Sequence, residues 1–263
     1  MTRPIALLTD FGLKDHYVGS LKGVILKINP RAVIFDITHD IRPQNIREGA
    51  FVLHSVYPVL PKGTIVVAVV DPGVGSMRQA ICVKTPRGFL VAPNNGILSM
   101  VLEAEKKFEI RSITNERYFH KPVSATFHGR DIFSPAAAWL SKKNVFRSFG
   151  TVMRHIHTLP ILKATMNRRS IKGEIIYIDR FGNAMTNISK SMVRRSNQIG
   201  EMHVLVKGKK PAPLKPFFSA GGHGALIAVW NSGNVLELAV RNNSAERLHE
   251  LKLGDSVTLG LPN

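Results

Sequence analysis

Cysteine is nearly absent from this 263-residue chain, and acidic residues are scarce, 18 Asp and Glu against 36 Lys and Arg. The lone Cys82 excludes an intramolecular disulfide framework and a multi-cysteine zinc cage, and its place in the alternating segment QAICVKT suits a small buried residue. No apolar run approaches the ~20 residues of a membrane span, and Ile5–Leu8 is too short for a signal-peptide core. A cytoplasmic protein with no membrane partner is therefore expected. No Gly-x-Gly-x-x-Gly follows the first apolar segment, which argues against a dinucleotide, because a pyrophosphate needs close backbone approach through glycines. His39, His54, His155, His157 and His223 lack metal-ligand spacing with nearby acids, so they are read as structural and no metal is expected.

The shortage of acids leaves a formal net charge of +18, which attracts nucleic acid or acidic surfaces by simple electrostatics. The basic residues are nevertheless scattered. Their densest groups are Asn167-Arg168-Arg169, Arg194-Arg195 and Lys207–Lys210, and no nucleic-acid module or aromatic-interleaved basic strand accompanies them. A solvated basic surface is the expectation, with a nucleic-acid adapter as its rival.

What the chain does have is alternation. Up to about residue 150, PIALLT leads to a helical pattern from Asp15 that places Tyr17, Leu21, Val24, Ile25 and Ile28 on one face. AVIFDI follows, then a helix begun by Asn45 and Glu48 as a capping box, then the buried strand TIVVAVVD. QAICVKT and GFLVAP form a hairpin around Pro86-Arg87-Gly88, a helix spans about Asn95 to Glu105, and another follows Ser134-Pro135. The β-α-β-α-β order predicts an α/β domain with a mostly parallel sheet over residues 1–160. The polar, basic stretch 161–170 is the expected linker. Beyond it, EIIYID, MHVLVKG, ALIAVW, VLELAV and SVTLGL predict a smaller all-β, barrel-like domain over 171–263. No internal repeat or low-complexity tract is present.

Chemistry-bearing residues stand at the ends of these segments. VVDPGVGSMR (69–78) and TFHGRD (126–131) carry an acid, Asp71, a fixed cation, Arg78, and an imidazole, His128, where strands of an α/β sheet deliver side chains into a ligand crevice. Held together, these three orient a water and accept its proton. Taken singly, Asp71 reads as a turn cap before Pro72, Arg78 as a hairpin surface residue and His128 as a core histidine. Asp10, at the exit of the first strand, suits a ribose diol, because a carboxylate accepts two hydroxyl hydrogen bonds. Asp15 reads equally as the N-cap of the next helix.

The blocks LLTDFG, D-x-YVG and KGVI at 7–25, DITHDIRP, VVDPGVG, APNNG, TFHGRDIF, IDRFGN with TNI, and NS with LELAV resemble the S-adenosylmethionine hydroxide adenosyltransferases, relatives of the chlorinases and fluorinases. The match runs in order over nearly the whole chain. The resemblance implies an α/β domain, a barrel-like C-terminal domain, and a homotrimer whose active sites lie between one subunit's large domain and its neighbour's small one. It implies hydrolysis of S-adenosyl-L-methionine (SAM) to adenosine and L-methionine, with SAM as substrate and no cofactor. It places the catalytic trio on Asp71, Arg78 and His128. Ribose is assigned to Asp10, with Tyr17 and Phe127 at the substrate; the methionine moiety to Asp15 and Asp179; and methionine or adenine contacts from the adjoining subunit to Asn183, Ser232, Glu237 and Val240.

Val74 and Gly129 stand where halogenating relatives carry small hydroxyl side chains, which favours water over halide as nucleophile. Asn94 replaces an acid more common in hydrolase relatives, and Gln44 follows DITHDIRP on a segment expected to cover the sugar. A halogenase, or a SAM-binding protein without turnover, is the alternative.

Overall fold

The computed structural model describes residues 3–193 and 202–262; the Arg194-Arg195 pair lies outside them. The chain divides into two compact units, Met1–Ile161 and Leu162–Asn263. Among the described residues no helix is long and apolar enough to cross a membrane.

The first unit is built on seven strands, β1 (Ile5–Thr9), β2 (Ile34–Thr38), β3 (Thr64–Val69), β4 (Ala80–Lys84), β5 (Gly88–Pro93), β6 (Glu109–Ser112) and β7 (Val152–Met153). Their order is β2-β1-β3-β5-β4-β6-β7. The neighbours β2, β1, β3 and β5 run parallel, and β4, β6 and β7 extend the sheet antiparallel, β4 and β5 forming the expected hairpin. Four helices cover it: α1 (Tyr17–Ile28), α2 (Ile46–Val56), α3 (Ser99–Ala104) and α4 (Ser134–Lys142).

Strand periodicity explains the layering. Ile5, Leu7, Ile65 and Val67 pack on one face with Ile25 of α1 and Ala136 to Ala138 of α4. Ala6, Leu8, Val66 and Ala68 pack on the other with Leu53 of α2 and Val101 of α3. With both faces covered, the central strands are apolar throughout, and each fully buried Leu or Ile contributes ~1.5–3 kcal/mol.

Helix starts follow their caps. Asn45 accepts from the Glu48 backbone N–H at 3.0 Å, the first half of the expected capping box; the return bond differs, because Glu48 Oε2 accepts from the Asn45 side-chain amide at 3.1 Å while the Asn45 backbone N–H donates to the Arg42 carbonyl. By contrast, α1 begins at Tyr17 behind an uncapped His16, so Asp15 does not cap it. α3 begins at Ser99 rather than Asn95, because Asn95 is spent on a turn: its amide donates to the Val70 carbonyl at 2.8 Å and its oxygen accepts from Ile97 N at 3.2 Å.

Among the described residues, the second unit holds β8 (Thr165–Met166), β9 (Ser170–Ile178), β10 (Ala184–Ser189), β11 (His203–Val206), β12 (Lys210–Pro213), β13 (Leu226–Trp230), β14 (Val235–Val240) and β15 (Ser256–Gly260), with one short α-helix, α5 (Ala245–His249). The order is β12-β11-β15-β9-β10-β14-β13, every ladder antiparallel, and β8 pairs with β9 inside the stretch 161–170. A bridge between Leu214 and Ala228 brings the end of β12 to β13, so the sheet nearly closes into a barrel. Ile171, Val204, Leu236, Leu238 and Val257 fill its interior.

Candidate active site

β1 and β3 are parallel neighbours, so Asp10 and Asp71, one residue past Thr9 and two past Val69, emerge at the same edge of the sheet. That edge is where open α/β sheets bind ligands. A cavity of about 630 Å³ opens there, within the range of small-molecule sites, and Asp10, Tyr17, Asp71, Phe127 and His128 all line it.

The turn after β3 brings Arg78 back onto Asp71. Gly75 takes φ 78°, where a side chain is strained, and a Cβ there would collide with the Ala125 carbonyl, so this turn packs directly against the segment leading to His128. Arg78 Nε donates to both oxygens of Asp71 at 3.0 and 2.9 Å, and Nη2 donates to Oδ2 at 2.5 Å. The same Nη2 donates to His128 Nδ1 at 2.7 Å. The Arg78 and Asp71 side chains are only 10% and 5% exposed. Arg78 also lies over the Phe133 ring, 5.3 Å from its centre, which fixes the guanidinium from behind. Three residues expected to meet therefore form one hydrogen-bonded chain. Burial, and then the charge of Arg78, push the His128 pKa below its ordinary value.

His128 leads into a π-helical turn, Gly129–Phe133, that runs straight into α4. Asp131 is fully buried there and is gripped by Arg130 through Nε at 2.6 Å and Nη2 at 3.0 Å. Opposite, Phe11, Tyr17 and Phe127 form an aromatic cluster, Tyr17 and Phe127 meeting edge to face at 5.3 Å. Val74 and Gly129 both line the cavity. So does Gln44, at φ 65°. His16, which the sequence did not single out, lines it too, its ring 4.7 Å from that of Tyr17.

Two expected site residues do not line this cavity. Asp15 is exposed and does not line the cavity, because the turn before α1 directs His16 and Tyr17 there instead. Val240 is buried in the barrel core, since β14 alternates and Leu236, Leu238 and Val240 share the inward face. Asn94 is also off the cavity, its side-chain oxygen accepting from His157 N at 2.8 Å.

The remaining residues belong to the second unit and line a cavity of its own, about 380 Å³, with Asp179, Asn183, Ser232 and Glu237 in its wall beside Phe217 and Trp230. Asp179 Oδ1 accepts from the backbone N–H groups of Phe181 and Asn183, each at 2.9 Å, closing a tight turn at Gly182. Glu237 alternates away from the barrel core, yet only 2% of it is exposed. Burial raises its pKa, with a further push from the charge of Asp179.

A sheet with helices on both faces, carrying an acid, a guanidinium and an imidazole in one chain at a cavity past its strand ends, defines an α/β enzyme acting on a small molecule. Residues 5–150 match the family description "SAM hydroxide adenosyltransferase N-terminal domain" and residues 173–258 match "SAM hydroxide adenosyltransferase C-terminal domain". The chain belongs to the SAM hydroxide adenosyltransferase family. It is 41% identical to an (R)-S-adenosyl-L-methionine hydrolase of Methanocaldococcus jannaschii, with 97% of this chain and 95% of that one covered. It is 34% identical to another of Thermus thermophilus, with 98% and 99% covered. A fluorinase of an Actinoplanes species is 26% identical, with 97% of this chain and 96% of that one covered. The crystal structure of an uncharacterized conserved protein from Thermotoga maritima superposes with a TM-score of 0.92 at 38% identity, covering 97% of this chain and 99% of that one.

Proposed function

We propose that the protein hydrolyses SAM by attack of water on ribose C5′, releasing adenosine and L-methionine. The observation that carries this reading is the Asp71–Arg78–His128 chain at the wall of a cavity that also holds Asp10 and an aromatic cluster. The leaving group at C5′ is a sulfonium, which departs as a neutral thioether and needs no acid. What the protein must supply is a positioned nucleophile. General-base help contributes about 10²–10⁴ in rate, and in-line placement contributes up to ~7–11 kcal/mol, so geometry is the larger lever. Asp10 holds the ribose diol, Tyr17 and Phe127 flank the sugar, and apolar Val74 with Gly129 offers no hydroxyl to a halide. The reaction draws on no cofactor.

The second unit's cavity carries Asp179, Asn183, Ser232 and Glu237, groups suited to methionine and adenine. In this reading they complete the site of a neighbouring copy in a cytoplasmic homotrimer. Incubation with SAM in ¹⁸O-water tests the chemistry: label is expected in the 5′-hydroxyl of released adenosine, and a chromatogram without adenosine after long incubation removes the proposal. Sedimentation tests the assembly, with three times 29.1 kDa expected.

A further inference from the structure

Arg78 is the centre of the trio, yet Asp71 and His128 line the cavity and Arg78 does not. A guanidinium has five N–H donors, no acceptor, and does not deprotonate in proteins. Its 2.7 Å contact with His128 Nδ1 therefore has one polarity: Arg78 donates and the Nδ1 lone pair accepts. A neutral imidazole whose Nδ1 accepts carries its proton on Nε2. Among the described residues, the ring makes no second hydrogen bond, so Nε2 has no protein partner. The other end of Arg78 behaves differently. Asp71 Oδ2 accepts two of its N–H groups and Oδ1 accepts one, which leaves an acceptor site on Oδ1.

We propose that Arg78 is a positioning residue that locks His128 in the Nε2–H tautomer, so that His128 donates to the attacking water and Asp71 takes its proton. This rests on the hydrolase reading above. In the step it describes, a lone pair of the water oxygen, oriented by Nε2–H, forms the O–C5′ bond while the C5′–S bond breaks. That bonding pair returns to sulfur as methionine leaves. The proton shed by the new oxonium passes to the free site on Asp71 Oδ1 and thence to solvent. His128 never accepts a proton in this cycle. Its half-buried position beside a fixed cation favours the neutral ring that the role requires. Asp10 lines the same cavity, but one of its oxygens already accepts from the Gln44 N–H, and the carboxylate is committed to the diol.

The test combines a spectrum with two variants of the full-length protein. Long-range ¹H–¹⁵N correlation on protein labelled at histidine, with the His128 signals assigned by their loss in His128→Gln, is expected to show a neutral ring protonated at Nε2. In Arg78→Met, of similar length but without donors, the ring should become a mixture of tautomers. If that variant does not fold, the wild-type spectrum still decides, since an Nδ1–H ring or an imidazolium there overturns the lock. In turnover, His128→Ala should lose about 10²–10³ in kcat, the cost of one oriented donor. His128→Gln places an amide N–H near the Nε2 position and has no basic nitrogen, so it should stay within about tenfold of wild type. Gln and Ala variants equally inactive would make His128 the base and overturn the assignment. Absence of adenosine with the wild type fails the hydrolase reading and the donor role together, while the wild-type spectrum reports on the lock without turnover.

Discussion

The backbone N–H of Gln44 donates to Asp10 Oδ2 at 2.8 Å from a residue held at φ 65°. A non-glycine residue in the left-handed region costs roughly 1–2 kcal/mol, so the loop after β2 is strained where it touches the carboxylate assigned to ribose. Gln44→Gly relieves that strain and keeps the N–H. A thermal melt should show Gln44→Gly no less stable than wild type, with KM for SAM changed less than about threefold. Asp10→Asn, by contrast, should raise KM about tenfold or more through weakened diol binding. A large KM change in the glycine variant would mean that the Gln44 side chain itself contacts substrate.

Asp71→Asn keeps the shape of the side chain but removes its charge and its capacity as a base. Steady-state kinetics should show kcat lower by about 10²–10⁴, with KM nearly unchanged. Equal losses in both parameters would assign Asp71 to ground-state binding instead.

The neutral His128 ring gives a definite pH dependence. Burial and Arg78 lower its pKa below the ordinary 6.5, while Asp71 and Asp131 act in the opposite sense. The unfolded chain therefore takes up this proton at higher pH than the native protein does. The native advantage is complete above about 6.5 and is lost as pH falls through the lower native pKa. Melting temperatures of wild type should thus fall more steeply below pH 6.5 than those of His128→Gln, and the acid limb of kcat/KM should have its midpoint below 6.5. Parallel melting curves would place the titration elsewhere.

Glu237 behaves with the opposite sign. Its native pKa is raised from 4.5, first by burial and then by Asp179, although hydrogen bonds with Asn231 and Asn183 pull it down. Stability from the protonated form is present below about 4.5 and is lost as pH rises through the raised value. Glu237→Gln should therefore melt higher than wild type at pH 7 to 8, with the gap closing near pH 4. A gap that widens in acid would contradict this.

Much of the fold was legible because its signals are local. From Ile65 to Val69 every residue on both faces of β3 is apolar, and Asn45 with Glu48 announces α2 within four residues. The trio was legible because each member stands at a segment end, although nothing in the spacing of Asp71, Arg78 and His128 specifies that the arginine sits between the other two. What was not legible depends on partners distant in the chain. Asn95 reads as a helix start until the Val70 carbonyl is seen to claim its amide. That His16 lines the cavity beside Tyr17 while Asp15 does not depends on the turn before α1. Val240 follows Glu237 in the same strand, and only the alternation of β14 about the barrel separates core from cavity.

Cys82 lies in the middle of β4 with no exposed surface, and burial lifts its thiol well above the usual range. A thiol of that kind is slow to ionise and out of reach of alkylating reagents. Because it is the chain's one cysteine, any second cysteine placed on the surface becomes the sole reactive handle. Met77 is 97% exposed and adjoins Arg78, so a fluorophore or spin label attached there through Met77→Cys would report on the reaction centre without any background labelling to remove.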